Sequence, residues 1–155
     1  AKIEIVYPGW DDTLRPVTDS HRLASVRRRY RLPEAPYLLY VGTLQPRKNI
    51  TRLLQAWQKV IRSGTDAGAV LVLAGGSGWL LADLPVQIEA LGLVGRVFLP
   101  GYIAGEDLPA LLSGALAFVF PSLFEGFGLP VLEAMACATP VLTANSSSLP
   151  EVAGD

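Results

Sequence analysis

Residues 115–133 read ALAFVFPSLFEGFGLPVLE and change character twice. The unbroken apolar run from Ala115 to Phe120 has the length of a strand buried on both faces, as a parallel sheet requires. Pro121 stops it, and a loop carrying Gly126 and Gly128 follows. Pro130 suits the first turn of a helix that the pattern extends over Val131 to Cys137. Strand, glycine loop and helix in immediate succession predict part of a βαβ unit.

The same alternation runs outward in both directions. Apolar runs recur at 37–41, 69–74, 96–99 and 140–143. Ile50, Leu53, Leu54, Trp57 and Ile61 repeat at helical spacing after Asn49, which is placed to cap them. Leu80 to Leu91 is a helical stretch closed by Gly92, Leu108 to Leu112 is a shorter one, and Leu149 to Asp155 begins another element. Upstream, residues 3–7 (Ile-Glu-Ile-Val-Tyr) have a strand pattern stopped by Pro8-Gly9. Ser20 to Tyr30 is amphipathic, with Leu23, Val26 and Tyr30 on one face. The order predicts an α/β fold, a doubly wound, Rossmann-like parallel sheet over 37–155, preceded by a strand and helix over 1–36. No internal repeat or low-complexity segment interrupts it.

Composition narrows the function classes. The 155 residues suffice for one domain, half are apolar and only 17% are charged, so a large core is affordable and disorder is excluded. A net charge of −1 provides no basic field for nucleic acid. No apolar run approaches the ~18 residues that a membrane-spanning helix needs. The first residues lack the pattern of a secretory signal, and the chain starts without Met, so both ends read as boundaries inside a longer protein. Cys137, the only cysteine, lies among Met135, Ala136 and Ala138 and reads as a core residue; a lone thiol fits a reducing, cytoplasmic setting.

In an open parallel sheet, ligands bind beyond the carboxyl ends of the strands. Three loops there carry distinctive residues. After the first run, Gly42-Thr43-Leu44-Gln45-Pro46-Arg47-Lys48-Asn49 turns on Gly42 and delivers Arg47 and Lys48 to a helix N-terminus, an arrangement suited to phosphate. After the second, Gly75-Gly76-Ser77-Gly78 permits close backbone approach to a ligand. A dinucleotide fingerprint would need glycine at position 81, where Leu81 stands, which disfavours an oxidoreductase. The third is Glu125-Gly126-Phe127-Gly128-Leu129, whose glycines leave backbone donors facing a ligand. Glu133 is expected in the first turn of the following helix, leaning back to accept hydrogen bonds from a ribose diol. Glu125 is expected in the same cleft.

The segment from Glu125 to Glu133, with seven residues between the acids, resembles the signature of the retaining glycosyltransferases called family 4, or glycosyl transferases group 1. The resemblance covers essentially the whole chain, and implies the C-terminal half of a GT-B enzyme. Gly42 to Asn49 resembles the family's phosphate loop, Gly101-Tyr102-Ile103 its base-contacting loop, and Tyr7 to Asp11 the hand-over from an N-terminal domain. It implies that Lys48 contacts the donor diphosphate, Glu133 holds the ribose and Glu125 lies near the transferred sugar. Gly126, Phe127, Gly128 and Leu129 would supply backbone donors. The chain departs from many members in carrying Thr43 where they have arginine, and Arg47 is the candidate replacement.

The activity implied is transfer of a hexosyl group from a nucleoside diphosphate sugar to an acceptor hydroxyl with retention. The wording around Arg47 and Lys48 resembles mannosyltransferases and so a guanosine diphosphate donor. The acceptor, a saccharide or a lipid-linked one, would be held by an N-terminal domain. No Asp-x-Asp motif is present, so Arg47 and Lys48 are expected to do a metal's work; no cofactor is implied beyond the donor substrate. Glu125 has two chemical uses, nucleophile or orienting group, and a single acid in a glycine loop favours orientation. Rival readings are an epimerase or synthase on the same fold and a non-catalytic nucleotide-binding module, the latter disfavoured by the presence of both acids. Arg22, Arg27, Arg28, Arg29 and Arg31 are expected on the outer face of the linker helix, as ordinary solvated charge or a peripheral contact to anionic lipid. His21 reads as a surface residue.

Overall fold

The computed structural model describes residues 2–4, 6–76 and 83–154. Five strands, β1 (Tyr37–Val41), β2 (Val70–Ala74), β3 (Val97–Gly101), β4 (Ala117–Phe120) and β5 (Val141–Thr143), pair in parallel in the order β3-β2-β1-β4-β5. The helices are α1 (Ser20–Arg29), α2 (Ile50–Arg62), α3 (Leu84–Ala90), α4 (Leu108–Ser113), α5 (Leu129–Ala136) and α6 (Leu149–Ala153). The chain builds outward from β1 through β2 to β3 and then crosses back to β4. Right-handed crossovers therefore place α2 and α3 on one face and α4 and α5 on the other, the doubly wound arrangement expected. Side chains tie α2 to the α3 region: Thr51 bonds Gln87 at 3.0 Å, and Trp57 Nε1 donates to the Arg96 carbonyl at 3.2 Å.

Every residue of β2 is buried, as its uninterrupted apolar run predicts. Between the faces, Tyr40, Phe118 and Phe120 stack with ring centroids 5.8 and 5.6 Å apart, and Leu39, Leu54, Leu71 and Leu111 are fully buried around them. Burial on both faces does not extend to the outer strands. Leu99 of β3 and Leu142 of β5 are exposed, because each of these strands has one neighbour instead of two.

Two further expectations are corrected. Residues 2–4, 6 and 7 form no strand, and Ile3 and Val6 are exposed, for they meet no partner edge of the sheet. Asn49 does not cap α2 with its side chain; it adopts a left-handed φ of 60° and donates instead to the Pro121 carbonyl at 3.2 Å. The helix expected over 80–91 is described from Leu84, residues 77–82 lying outside the described part, and closes at Gly92 with φ 67° as expected.

The arginines of α1 are not a solvated row. Asp107, fully buried, accepts from Arg22 at 2.8 Å, Arg29 at 2.7 Å and the Tyr30 hydroxyl at 2.9 Å. Burial pushes its carboxyl up, but these partners outweigh that and hold it below the usual aspartate value. Arg27 donates to the Ala35 carbonyl and lies 4.9 Å from the Tyr37 ring centroid. Arg22, Arg27 and Arg29 thus pin α1 to the body of the domain, although Arg29 stays exposed, as do Arg28 and Arg31. Among the described residues, no helix is long and apolar enough to cross a membrane.

Candidate nucleotide-sugar site

The strand order reverses between β1 and β4, so the loops that leave these strands diverge from a crevice at the carboxyl edge of the sheet. The β1 loop is shaped by glycine. Gly42 donates to the Ala74 carbonyl at 3.0 Å, and Leu44 donates to the Gly76 carbonyl at 3.1 Å. Gly75, with φ 137°, comes so close that a Cβ there would lie 2.1 Å from the Gly42 oxygen. The glycines expected to permit close approach to a ligand therefore also permit close approach of the two loops to each other. Gly78 and Ser77 lie outside the described residues.

From there the chain makes one 3₁₀ turn, Pro46–Lys48, and crosses to the β4 loop. Leu123 N–H donates to the Arg47 carbonyl at 2.9 Å, and the Arg47 guanidinium reaches the Phe124 carbonyl at 3.2 Å and Glu125 Oε2 at 3.1 Å. Lys48 is buried, its ammonium 4.8 Å from the Phe120 ring centroid and hydrogen-bonded to Glu125 Oε1. Arg47, Lys48 and Glu125, distant in sequence, are thus one ionic group. Burial pushes the Glu125 carboxyl up; the Lys48 hydrogen bond and charge, with Arg47, outweigh it and hold the group below the usual glutamate value.

The Glu125 loop is buckled from below by residues that sequence reasoning did not single out. Ser147 Oγ accepts from Glu125 N–H at 3.0 Å. Ser148 Oγ lies 3.0 Å from the Glu125 carbonyl and 2.6 Å from that of Phe127, and Ser146 Oγ donates to the Ser122 carbonyl at 3.2 Å. The signal was three consecutive serines just before Leu149-Pro150-Glu151. Apart from the Ser147 bond to the Glu125 N–H, these bonds use the loop's carbonyls, while the N–H groups of Gly126, Phe127, Gly128 and Leu129 have no partner among the described residues. Gly128 has φ 116° and is packed so tightly that an added Cβ would lie 2.9 Å from Leu149. Unpartnered donors at the start of α5, where the helix dipole is positive, suit an anion or a sugar oxygen.

Glu133 is not in the first turn of α5. The helix begins at Leu129, so Glu133 opens the second turn. It is half-buried, has no hydrogen-bond partner among the described residues, and its carboxyl is raised by burial. Burial of the Cys137 thiol, with the Glu133 charge as the smaller cause, pushes it up to about 11, which fits an inert core cysteine. At the other end of the crevice, Tyr102 is exposed after β3, but the Ile103 side chain is turned into the core, leaving only its backbone to meet a ligand. Thr43 is exposed, with its carbonyl 3.3 Å from the Tyr40 hydroxyl. β3 and β4 are three strand spacings apart, roughly 14 Å, so the β3 and β4 loops meet a common ligand only if it is extended. Among the described residues, no group of three His, Cys, Asp or Glu side chains is placed to hold a metal ion.

Comparison with known proteins fits this geometry. The family described as glycosyl transferases group 1 matches residues 25–155. The chain is 46% identical over 130 residues to an O-antigen chain mannosyltransferase B of Escherichia coli, covering 84% of this chain and 34% of that protein. It is 36% identical over 159 residues to a GDP-mannose-dependent alpha-(1-6)-phosphatidylinositol monomannoside mannosyltransferase of Mycobacterium tuberculosis, covering 97% of this chain and 40% of that one. Among solved structures, Anabaena Alr3699/HepE in complex with UDP and glucose superposes with a TM-score of 0.82 at 25% identity, over 96% of this chain and 40% of that one. The chain therefore spans about a third to two-fifths of the length of these relatives.

Proposed function

The chain belongs to the glycosyl transferases group 1 family, and on that premise we propose that it is the donor-binding part of a retaining hexosyltransferase. In this reading residues 37–155 hold the nucleoside diphosphate sugar and residues 1–36 link them to an N-terminal domain that holds the acceptor. The observation that carries the reading is the meeting of Arg47 and Lys48 from the β1 loop with Glu125 from the β4 loop, beside the N–H groups of Gly126 to Leu129, which have no partner among the described residues. The diphosphate would sit on the two cations and the start of α5, the ribose on Glu133, and the base near Tyr102 and the Ile103 backbone. The sugar would face Glu125.

The bond from the anomeric carbon to the diphosphate oxygen breaks, the acceptor oxygen bonds to that carbon on the same face, and the acceptor proton passes to the departing phosphate. Lys48, Arg47 and the loop N–H groups oppose the negative charge growing on that oxygen. Fixed donors of this kind each lower a barrier by ~3–4 kcal/mol. That is how the chain would do without a metal ion. Glu125 orients the sugar and faces the positive charge that develops on its ring. The names of the two mannosyltransferase relatives support guanosine diphosphate mannose as donor.

Calorimetric titration with GDP, UDP and ADP tests the reading, repeated on Lys48→Ala and Glu133→Ala. One nucleotide binds the parent chain, and each variant weakens it by about tenfold or more. Nucleotide binding untouched by either substitution would move the site elsewhere. The chain alone transfers no sugar; steady turnover by these 155 residues would overturn the division of labour.

A further inference from the structure

The proposed phosphate cations already hold an anion, and it is the protein's own. Glu125 gives one carboxylate oxygen to Lys48 and the other to Arg47, at 3.1 Å. The contact is largely shielded, for the side chains of Lys48 and Glu125 are 9% and 10% exposed. A diphosphate that reaches these cations competes with Glu125 for them, most directly at Lys48, whose side chain is nearly buried against the carboxylate. Once displaced, that carboxylate stands on a glycine loop with its main chain still clamped by Ser147 and Ser148, so it swings without leaving the crevice. It then lacks its donors, and a half-buried carboxylate without donors is costly. Sugar hydroxyls are the donors that an intact sugar nucleotide brings and a spent nucleoside diphosphate does not.

We infer that Glu125 is a specificity-determining residue that makes the site prefer the intact sugar nucleotide to its nucleoside diphosphate product. This rests on the donor-site reading above. Loading exchanges the Glu125–Lys48 contact for a phosphate–Lys48 contact and a sugar–Glu125 contact. After transfer the sugar leaves, Glu125 returns to Lys48, and the diphosphate loses its hold. The carboxylate thus recognises the substrate and helps to expel the product.

The test is calorimetric titration of the parent chain and Glu125→Gln with GDP and GDP-mannose, and with UDP and UDP-glucose. Removing the competing charge lets Glu125→Gln bind the nucleoside diphosphate about tenfold more tightly, while the sugar nucleotide gains less, so the preference between them collapses. Unchanged or weaker diphosphate binding by Glu125→Gln overturns the inference but leaves the donor site standing, provided the parent binds and Lys48→Ala does not. No nucleotide binding by either protein, both folded by circular dichroism, overturns the donor site and this inference together. A second measurement does not depend on the variant's folding. Followed by its carboxyl ¹³C signal in the parent chain, Glu125 titrates below the usual range when empty and shifts upward when GDP takes Lys48. A carboxyl that does not respond to bound GDP overturns the exchange.

Discussion

Glu125 and Glu133 bracket one loop-to-helix segment, and the fold treats their carboxyls in opposite ways. Glu125 meets two cations, and its carboxyl is held below the usual value despite burial. Glu133, one turn into α5, is half-buried with no hydrogen-bond partner among the described residues, and burial raises it. The first acid is satisfied by the protein's own cations, whereas the second has no such partner among the described residues. Their linkage to stability has opposite signs. Glu125 contributes stability present above its unfolded value of 4.5 and lost as pH falls through its lower folded value. Glu133 contributes stability present below 4.5 and lost as pH rises through its higher folded value.

The largest test of this contrast removes the cation. Lys48→Met leaves Glu125 shielded beside Arg47 alone and should cost ~3 kcal/mol in urea unfolding at pH 7. The loss should shrink as pH falls below 4.5 and Glu125 takes up a proton. A cost under about 1 kcal/mol would mean that the pair is no stronger than an ordinary surface bridge. Next comes the clamp. Ser148→Ala deprives the Glu125 and Phe127 carbonyls of their shared donor, an expected loss of ~1–2 kcal/mol, and Ser147→Ala costs less because it frees a single N–H. Equal effects would show that the loop hangs on something else. The smallest change goes the other way. Glu133→Gln should raise stability at pH 7 by about 1 kcal/mol, with the gap closing as pH falls through the raised folded value toward 4.5, because only an ionised buried carboxylate is unfavourable. A destabilised Glu133→Gln would mean that the acid has a partner in the folded chain.

The parts of this fold that were legible beforehand are those where one physical effect acts alone. β2 and β4 sit inside the sheet, so burial wrote continuous apolar runs into them. Gly92 and Pro130 mark helix ends because their backbones restrict the choice. Residues 3–7 misled because an apolar run records a need for burial and not the partner that meets it. The α1 arginines misled for the converse reason: Asp107 lies more than 75 residues away, and nothing local announces that a charge is buried there. In the site, Arg47, Lys48 and Glu125 were legible as loop residues, but not the direct contact between them, which depends on β1 and β4 being neighbours. The serines behind Glu125 went unremarked because their bonds are to main chain, which leaves no mark on their partners' identities.

The near-contact of Gly75 with Gly42 has a consequence for anyone who would redesign the protein. Two loops that share one interior wall are inherited as a unit. A β1 loop transplanted from a relative without its glycine-rich neighbour would arrive with the wrong mould. Loop exchanges between such domains should therefore be cut so that residues 42–49 and 75–76 travel together.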